Sequence, residues 1–305
     1  IKENLKDVKI GFLVASKSID ILRNHPYIDE IFAYKNKQEK KQIINEIKEK
    51  EYTEAIIVDG RLSSTIIAWK AKCKLLNKGF CISINKKHIF ERKNLAQKAI
   101  DDFAMYAKTL LNIDYDKNEL YPLIGKCDSG KEEIIKNWVE SIKKETKDIV
   151  LIVPRTAANI KNWNIHELGK LNSYLNLEGI KPVYIGSPND YEYIEKIAGE
   201  KINIAGKFAL RDIPEIAKYA KWALSMCTGP LHILGTVKSL PIIAIYGPSD
   251  PKRWAPKSSI VVQSNLECVP CLNWAKCDKE LGQRCMDEIT FERVKSVIEE
   301  YNLLK

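Results

Sequence analysis

The chain has 305 residues, of which 45% are hydrophobic and 29% are charged, and its net charge at pH 7 is +9. This length and composition predict a globular protein with two medium-sized domains, and no apolar run approaches the ~20 residues needed to cross a bilayer. The positive charge favours an anionic partner such as a nucleotide or an anionic lipid surface. Nucleic acid is disfavoured, because the lysines are spread along the whole chain and form no patch interleaved with aromatic residues. The alternative is a lysine-rich solvated exterior.

Strand and helix patterns alternate along residues 1–145, which predicts an N-terminal α/β domain with a mostly parallel sheet. The helix expected at residues 35–50 is rich in Lys and Glu, which indicates a solvated face. The predicted strands cover residues 8–15, 31–34, 55–58 and 80–84, and the predicted helices cover residues 17–23, 35–50, 64–71, 94–111 and 131–143.

A second α/β domain is predicted for residues 146–305. It contains a cysteine-rich loop at 265–287 and ends in an amphipathic helix. Its predicted strands cover residues 149–153, 182–185, 202–204, 222–226 and 242–246, and its predicted helices cover residues 166–175, 191–197, 213–219, 231–237 and 291–301.

Polar or glycine-containing turns follow four strands of the second domain, at residues 154–163, 186–190, 205–208 and 227–230. In open α/β sheets ligands bind at the carboxyl ends of the strands. We therefore expect these turns to form a nucleotide-sized cradle along one edge, with Arg155 and Lys161 facing a helix N-terminus.

That helix N-terminus follows the apolar run at 222–226. Thr228 is a candidate N-cap, and Pro230 lies near the start of the helix, where its missing N–H costs nothing. The free N–H groups of such a helix favour phosphate. The alternative is an ordinary strand–turn–helix joint.

The eight cysteines fall into a scattered set and a cluster. The chain opens on Ile1-Lys2-Glu3-Asn4 with no export signal, which favours a reducing compartment over a disulfide framework. The cluster has the spacing C-x2-C-x5-C-x7-C, which suits a structural four-thiolate site for zinc or iron. The alternative is reduced, unliganded thiols or disulfides. The four cysteines are Cys268, Cys271, Cys277 and Cys285.

The motifs taken together resemble those of the family 9 glycosyltransferases, the lipopolysaccharide heptosyltransferases that use ADP-heptose. The similarity covers nearly the whole chain, and the motifs at 228–232, 246–251 and 253–256 are together specific. The motifs that carry the resemblance are residues 24–30 ("NPYIDEV"), 58–64 ("DLR…S"), 154–163 ("PGA…K.W"), 186–188 ("GGP"), 205–207 ("AGKT"), 228–232 ("DTGPMH") and 246–256 ("FGPTDPxRWxP").

The resemblance implies a GT-B fold, with two Rossmann-like domains, a cleft between them, the nucleotide on the C-terminal domain and the acceptor on the N-terminal one. It also implies an inverting sugar transfer without an obligatory catalytic metal, in which positive charge stabilises the leaving diphosphate. Lys161 is the first choice for that catalytic role. The implied donor-binding residues are Arg155, Thr156, Gly186, Lys207, Thr228, Gly229, Pro230, His232 and Arg253, and the implied acceptor-side residues are Asp59 and Arg61.

Two features depart from the family pattern. The family's first strand and its Gly-Asp loop are absent from this sequence, so the catalytic base is expected upstream of residue 1. Cys227 occupies a position where the family usually has Asp. Trp163 is expected to pack in the core rather than to stack on a ligand.

The predicted function is therefore transfer of heptose from ADP-heptose to a lipopolysaccharide core or to another glycan, glycolipid or protein acceptor. We expect this to occur in the cytoplasm, with a peripheral position at the inner membrane as an option that the basic charge suits. One alternative is a transferase of the same fold that uses another nucleotide sugar. The other is a non-catalytic module, either a nucleotide-binding remnant or a zinc-ribbon interaction domain.

Overall fold

The computed structural model describes residues 1–5, 7–58, 61–76, 104, 107–116, 119–271, 277 and 284–305. They divide into two compact units, Ile1–Leu120 and Tyr121–Lys305. The strand predicted at 80–84 and most of the helix predicted at 94–111 lie outside the described residues.

The first unit is built from short parallel strand pairs and the helices that connect them. A small core of apolar side chains, including Phe32, Ile47 and Ile67, fixes the helices against the strands. Strand β1 pairs with β2 and β3 pairs with β4, both in parallel. The elements are β1 (Gly11–Ala15), β2 (Glu30–Tyr34), α1 (Lys37–Glu49), β3 (Glu54–Ala55), α2 (Leu62–Lys70) and β4 (Lys74–Leu75).

Two predictions for this unit need correction. Residues 17–23 do not form an α-helix but two 3-10 turns, Ser16–Ser18 and Asp20–Leu22. The segment is only two turns long and ends at Asn24, whose φ of 57° breaks the helical path, so an α-helix cannot propagate there. The strand predicted at 55–58 pairs only over Glu54–Ala55 among the described residues.

The second unit contains a six-stranded sheet in the order β10-β9-β8-β5-β6-β7, with every neighbouring pair parallel. Five of the six residues of β5 are buried, as expected for a central strand of a parallel sheet covered on both faces. The elements are α3 (Lys131–Lys143), β5 (Asp148–Val153), α4 (Ile165–Leu177), β6 (Ile180–Tyr184), α5 (Tyr191–Glu195), β7 (Ile202–Asn203), α6 (Ile213–Ala217), β8 (Ala223–Met226), α7 (Gly229–Leu234), β9 (Ile242–Tyr246), α8 (Pro251–Trp254), β10 (Ser259–Gln263), α9 (Arg284–Asp287) and α10 (Phe291–Glu300).

Helix α3, which the sequence pattern grouped with residues 1–145, belongs to the second compact unit. Lys131, its first residue, lies 2.8 Å from the fully buried carboxylate of Asp212. Arg211, which is also buried, pairs with Asp128 just before the helix. These two ion pairs hold residues 128–131 against the segment that leads into α6.

No helix in the described ranges is both long enough and apolar enough to cross a membrane.

The central strand sets the stability of the second unit. Leu151 in β5 has no exposed surface and pairs with both β6 and β8. We expect Leu151→Ala to lower the free energy of unfolding by about 2–5 kcal/mol, because it removes buried methyl groups and leaves a cavity. Urea unfolding measures the change. The control is Val261→Ala on the edge strand β10, where the side chain is 40% exposed and a much smaller loss is expected.

Candidate functional site

The strand order places a topological switch point in the second unit. From β5 the chain builds outward to β6 and β7 on one side, and then returns to build β8, β9 and β10 on the other. Open α/β sheets bind ligands in the crevice where the order reverses, at the carboxyl ends of the strands. The turns at 154–163 and 227–230 follow β5 and β8 and therefore flank this crevice. Because all six strands are parallel, the turns at 186–190 and 205–208 open on the same edge.

The loop after β5 is held closed by its own side chains. The backbone N–H of Thr156 donates to Asn162 Oδ1 at 2.7 Å. The Thr156 hydroxyl donates to the carbonyl oxygen of Ala158 at 2.7 Å, and the residue is buried. Thr156 thus supports the loop, and its hydroxyl is already in use. Lys161 ends the following 3-10 turn, Asn159–Lys161, and its side chain remains partly exposed.

The turn after β8 leads into α7. Thr228 occupies the predicted N-cap position, and Pro230 lies in the first turn. The Thr228 hydroxyl makes no capping hydrogen bond. Gly229 is exposed, and a Cβ added there would meet nothing within 4 Å. A polar ligand can therefore approach both the hydroxyl and the first backbone N–H groups of this turn.

Cys227 precedes this turn and neighbours Tyr246, the last residue of β9. The Tyr246 hydroxyl is fully buried and has no hydrogen-bonding oxygen or nitrogen partner among the described residues. Burial raises the pKa of Tyr246, and the adjacent Cys227 sulfur raises it further. A thiol and a buried phenol therefore lie beneath the crevice on this side.

A second turn, at 247–250, follows β9 and leads into α8, which places Trp254 beside His232. Asp250 caps α8 by accepting from the Lys252 N–H at 2.9 Å, and Pro251 begins the helix. Trp254, at the end of α8, meets the His232 ring edge-on at a centroid distance of 6.3 Å. Burial lowers the pKa of His232, so its imidazole is neutral at pH 7. Arg253 stacks over the Trp254 ring, 5.5 Å from its centroid.

On the opposite side of the crevice, Arg155 contacts two residues that follow β6. Its guanidinium lies 3.4 Å from Asp190 Oδ1 and stacks over the Tyr193 ring, 5.4 Å from the centroid. Gly186 is required at the end of β6, since a Cβ there would lie 2.9 Å from the Asp190 Cβ.

The turn after β7 packs against the turn after β6. Gly206, with a φ of +75°, donates its N–H to the Gly186 carbonyl at 3.0 Å. Lys207 is exposed beyond it, at the far end of the edge.

Trp163 is a packing residue, as predicted. It is 1% exposed, and its indole N–H donates to the Ile289 carbonyl at 2.5 Å. This contact fastens the loop after β5 to the segment before α10.

The predicted acceptor-side residues belong to the first unit. Asp59 lies outside the described residues. Arg61 is exposed and occupies the N-cap position of α2.

The four clustered cysteines are close enough to influence one another. Burial raises the pKa of Cys285 to about 11, and the charges of Cys271, Cys268 and Cys277 contribute. No disulfide joins the described cysteines. The described residues do not bring three of these four thiols within 4.8 Å of one another.

A different trio does reach that distance: Cys127, Glu132 and Glu215. Lys218 already forms an ion pair with Glu215, and burial followed by the nearby carboxylates raises the pKa of the Cys127 thiol. Both effects oppose metal binding there.

Sequence reasoning did not single out Asp190, Tyr193 and Gln263. Gln263, at the end of β10, donates to the carbonyl oxygens of Gly247 and Ser249 and so fixes the second turn. Only its position at a strand end could have indicated this role, because its partners are backbone atoms.

The parallel sheet and the cation-bearing turns at its switch point define an open α/β protein whose sheet edge has the arrangement used for ligand binding. The family model for glycosyltransferase family 9 (heptosyltransferase) matches residues 41–281. The chain therefore belongs to this family and is a glycosyltransferase. The alternative of a non-catalytic module is not favoured.

Relatives and solved structures agree with this assignment. Lipopolysaccharide heptosyltransferase 1 of Campylobacter coli is 25% identical over 293 residues, covering 85% of this chain and 81% of that protein. Lipopolysaccharide heptosyltransferase 3 of Escherichia coli K12 is 21% identical over 284 residues, covering 86% of this chain and 80% of that protein. The structure of E. coli ADP-heptose lps heptosyltransferase II superposes with a TM-score of 0.75 at 18% identity, covering 99% of this chain and 91% of that one. The glycosyl transferase family 9 structure from Veillonella parvula DSM 2008 superposes with a TM-score of 0.73 at 19% identity, covering 99% of this chain and 90% of that one. The predicted α/β, GT-B fold class is confirmed.

The packing role of Trp163 can be tested apart from ligand binding. We expect Trp163→Phe to lower the free energy of unfolding by about 2–4 kcal/mol, because it leaves the Ile289 carbonyl unpaired and opens a small cavity. Urea unfolding measures this loss. ADP affinity should be unchanged in the folded variant, and a large loss of affinity without a loss of stability would contradict the packing role.

Proposed function

We propose that this protein transfers heptose from ADP-heptose to a lipopolysaccharide core or a related glycan acceptor, in the cytoplasm and at the inner surface of the membrane. Family membership and the names of the relatives support the reaction class. The observation that carries the donor site is the switch point, where Lys161 and the open N-terminus of α7 follow the two strands that flank the crevice.

The chemistry needs fixed positive charge where the nucleoside diphosphate leaves. Lys161 supplies a cation on the β5 side, and Thr228 and Gly229 supply a hydroxyl and backbone N–H donors on the β8 side. Groups that are already in position when negative charge develops on the leaving phosphates lower the barrier without reorganisation. The acceptor hydroxyl attacks the anomeric carbon from the face opposite the diphosphate, with inversion. The C–O bond to the diphosphate breaks as the new C–O bond forms, and the hydroxyl proton passes to a general base. Pro230, His232 and Arg253 would complete the donor site, together with Arg155, Gly186 and Lys207.

The N-terminal unit would hold the acceptor, with Asp59 and Arg61 as the candidate contacts. An excess of basic residues favours an acceptor that carries anionic groups and is presented at an anionic leaflet.

A different nucleotide sugar is the second candidate donor, because the thiol of Cys227 cannot accept hydrogen bonds as a carboxylate would. Isothermal titration with ADP, UDP and GDP distinguishes the two. Selective binding of ADP supports ADP-heptose, selective binding of UDP or GDP supports the second candidate, and no binding of any of them contradicts the transferase site.

The role of Lys161 is tested by removing its charge. We expect Lys161→Ala to lower kcat/KM for sugar transfer by about 100- to 1000-fold, because the developing charge on the leaving diphosphate loses its cation. The control is Lys170→Ala, at an exposed position of α4 where Lys170 pairs with Glu167, and its activity should equal that of the wild type. Unchanged turnover in Lys161→Ala would show that another group supports the leaving diphosphate.

We also propose a structural zinc or iron ion at Cys268, Cys271, Cys277 and Cys285. The four thiols, of which Cys271 is exposed and the other three are partly buried, form a donor set that suits a tetrahedral site. Cys285 packs against Gly247, where a Cβ would lie 3.2 Å from the sulfur, so the cluster would brace the turn after β9. Binding of the metal ion would have to draw the four thiols closer together. The ion would hold the loop in place and would take no part in sugar transfer.

Elemental analysis of the purified protein tests this site. We expect about one zinc or iron ion per chain, lost in Cys271→Ser and in Cys285→Ser because a four-thiolate site does not tolerate the loss of a ligand. Cys73→Ser, at a buried thiol in the first unit, should keep its metal. A metal-free wild-type protein with four titratable thiols would contradict the proposal.

A further inference from the structure

Arg155 is the first charged residue after β5, and its environment is organised around its guanidinium. In the part of the chain that the structure describes, the guanidinium has an ion-pair partner, Asp190, and a ring partner, Tyr193. Both follow β6, the strand next to β5. Two elements therefore cooperate to fix one long side chain that would otherwise be free to rotate at the sheet edge.

The contacts leave the guanidinium available to a ligand. The ion pair uses Nη1 and one carboxylate oxygen, and the side chain is 35% exposed. Asp190 Oδ2 is committed elsewhere, since it accepts from the Ser187 N–H at 2.8 Å and from the Ser187 hydroxyl at 2.7 Å. Asp190 is therefore rigid and can hold Arg155 by a single contact, and several of the five guanidinium N–H donors have no hydrogen-bond partner among the described residues.

The ring of Tyr193 restricts the remaining freedom. A guanidinium stacked on an aromatic face keeps its edge, where the N–H groups point, directed away from the ring. Tyr193 is half-buried, and burial raises the pKa of its hydroxyl, so the ring is a neutral platform at pH 7.

We propose that Asp190 and Tyr193 are positioning residues that hold Arg155 as a preformed cation for the diphosphate of the donor. This inference rests on the proposed function and adds to it a second cation beside Lys161, together with the side chains that orient it. Ordering Arg155 before binding removes the entropy cost of fixing a long side chain when the nucleotide arrives, so the effect falls on donor affinity. Arg155 binds, and Asp190 and Tyr193 act only through it.

The experiment measures ADP affinity by isothermal titration and the KM and kcat of transfer for a set of variants. We expect Arg155→Ala to weaken ADP binding by ~10-fold, and Asp190→Asn and Tyr193→Leu each to weaken it by ~3-fold, with kcat nearly unchanged. Tyr193→Phe keeps the ring and should bind as the wild type does. Lys170→Ala, at an exposed position of α4 where Lys170 pairs with Glu167, does not touch Arg155, Asp190 or Tyr193 and should also bind normally.

The decisive measurement is the ADP affinity of Asp190→Asn and of Tyr193→Leu, each combined with Arg155→Ala. If Asp190 and Tyr193 act through Arg155, neither Asp190→Asn nor Tyr193→Leu weakens ADP binding further there. If the wild-type protein binds ADP, the positioning role is overturned in two cases. Either each substitution weakens ADP binding equally in the wild-type and the Arg155→Ala backgrounds, or it weakens binding in neither. A wild-type protein that binds no ADP overturns the proposed function itself, so the two failures are distinct.

Discussion

The all-parallel pairing of the second unit is the constraint on which the rest of the site depends. A parallel sheet sends every strand's carboxyl end to the same edge, and the reversal of strand order between β5 and β8 opens a crevice there. The loop after β5 is closed by the hydrogen bond from the Thr156 N–H to Asn162 Oδ1, and only two residues separate β8 from α7, so the polar groups of both turns stay at this edge. The fold therefore brings Lys161 and Thr228 to one crevice although they are far apart in sequence.

Close packing behind the edge fixes the turns that form it. A Cβ at Gly247 would lie 2.5 Å from the Met286 sulfur, and a Cβ at Gly235 would lie 2.6 Å from the Pro256 ring. Trp163 reaches across to the Ile289 carbonyl. The segment from 284 to 291 thus supports both the loop after β5 and the turn after β9.

The sequence predicted the parts of this arrangement that depend on local pattern. Apolar runs ending in Gly, Pro or Thr located β5, β8 and β9. It did not predict the contacts between Arg155 and the residues after β6, because these depend on which strands become neighbours. In the first unit, two-residue strands and 3-10 turns replaced longer predicted elements, since short segments take their form from tertiary contacts more than from propensity. The family resemblance, unlike the spacing, identified the reaction class.

The charge distribution at this edge of the sheet follows from which strands are neighbours. Cys227 and Tyr246 place a thiol and a buried phenol beneath the crevice, and burial keeps the imidazole of His232 neutral at pH 7. Arg155 and Lys161 belong to the loop after β5. The proposed diphosphate site would thus have cations on one wall, and a thiol, a buried phenol and a neutral imidazole beside it. A carboxylate at position 227 would give the Tyr246 hydroxyl a strong acceptor, but it would also place negative charge next to the phosphates. The thiol avoids that repulsion and offers the buried Tyr246 hydroxyl only a weak acceptor.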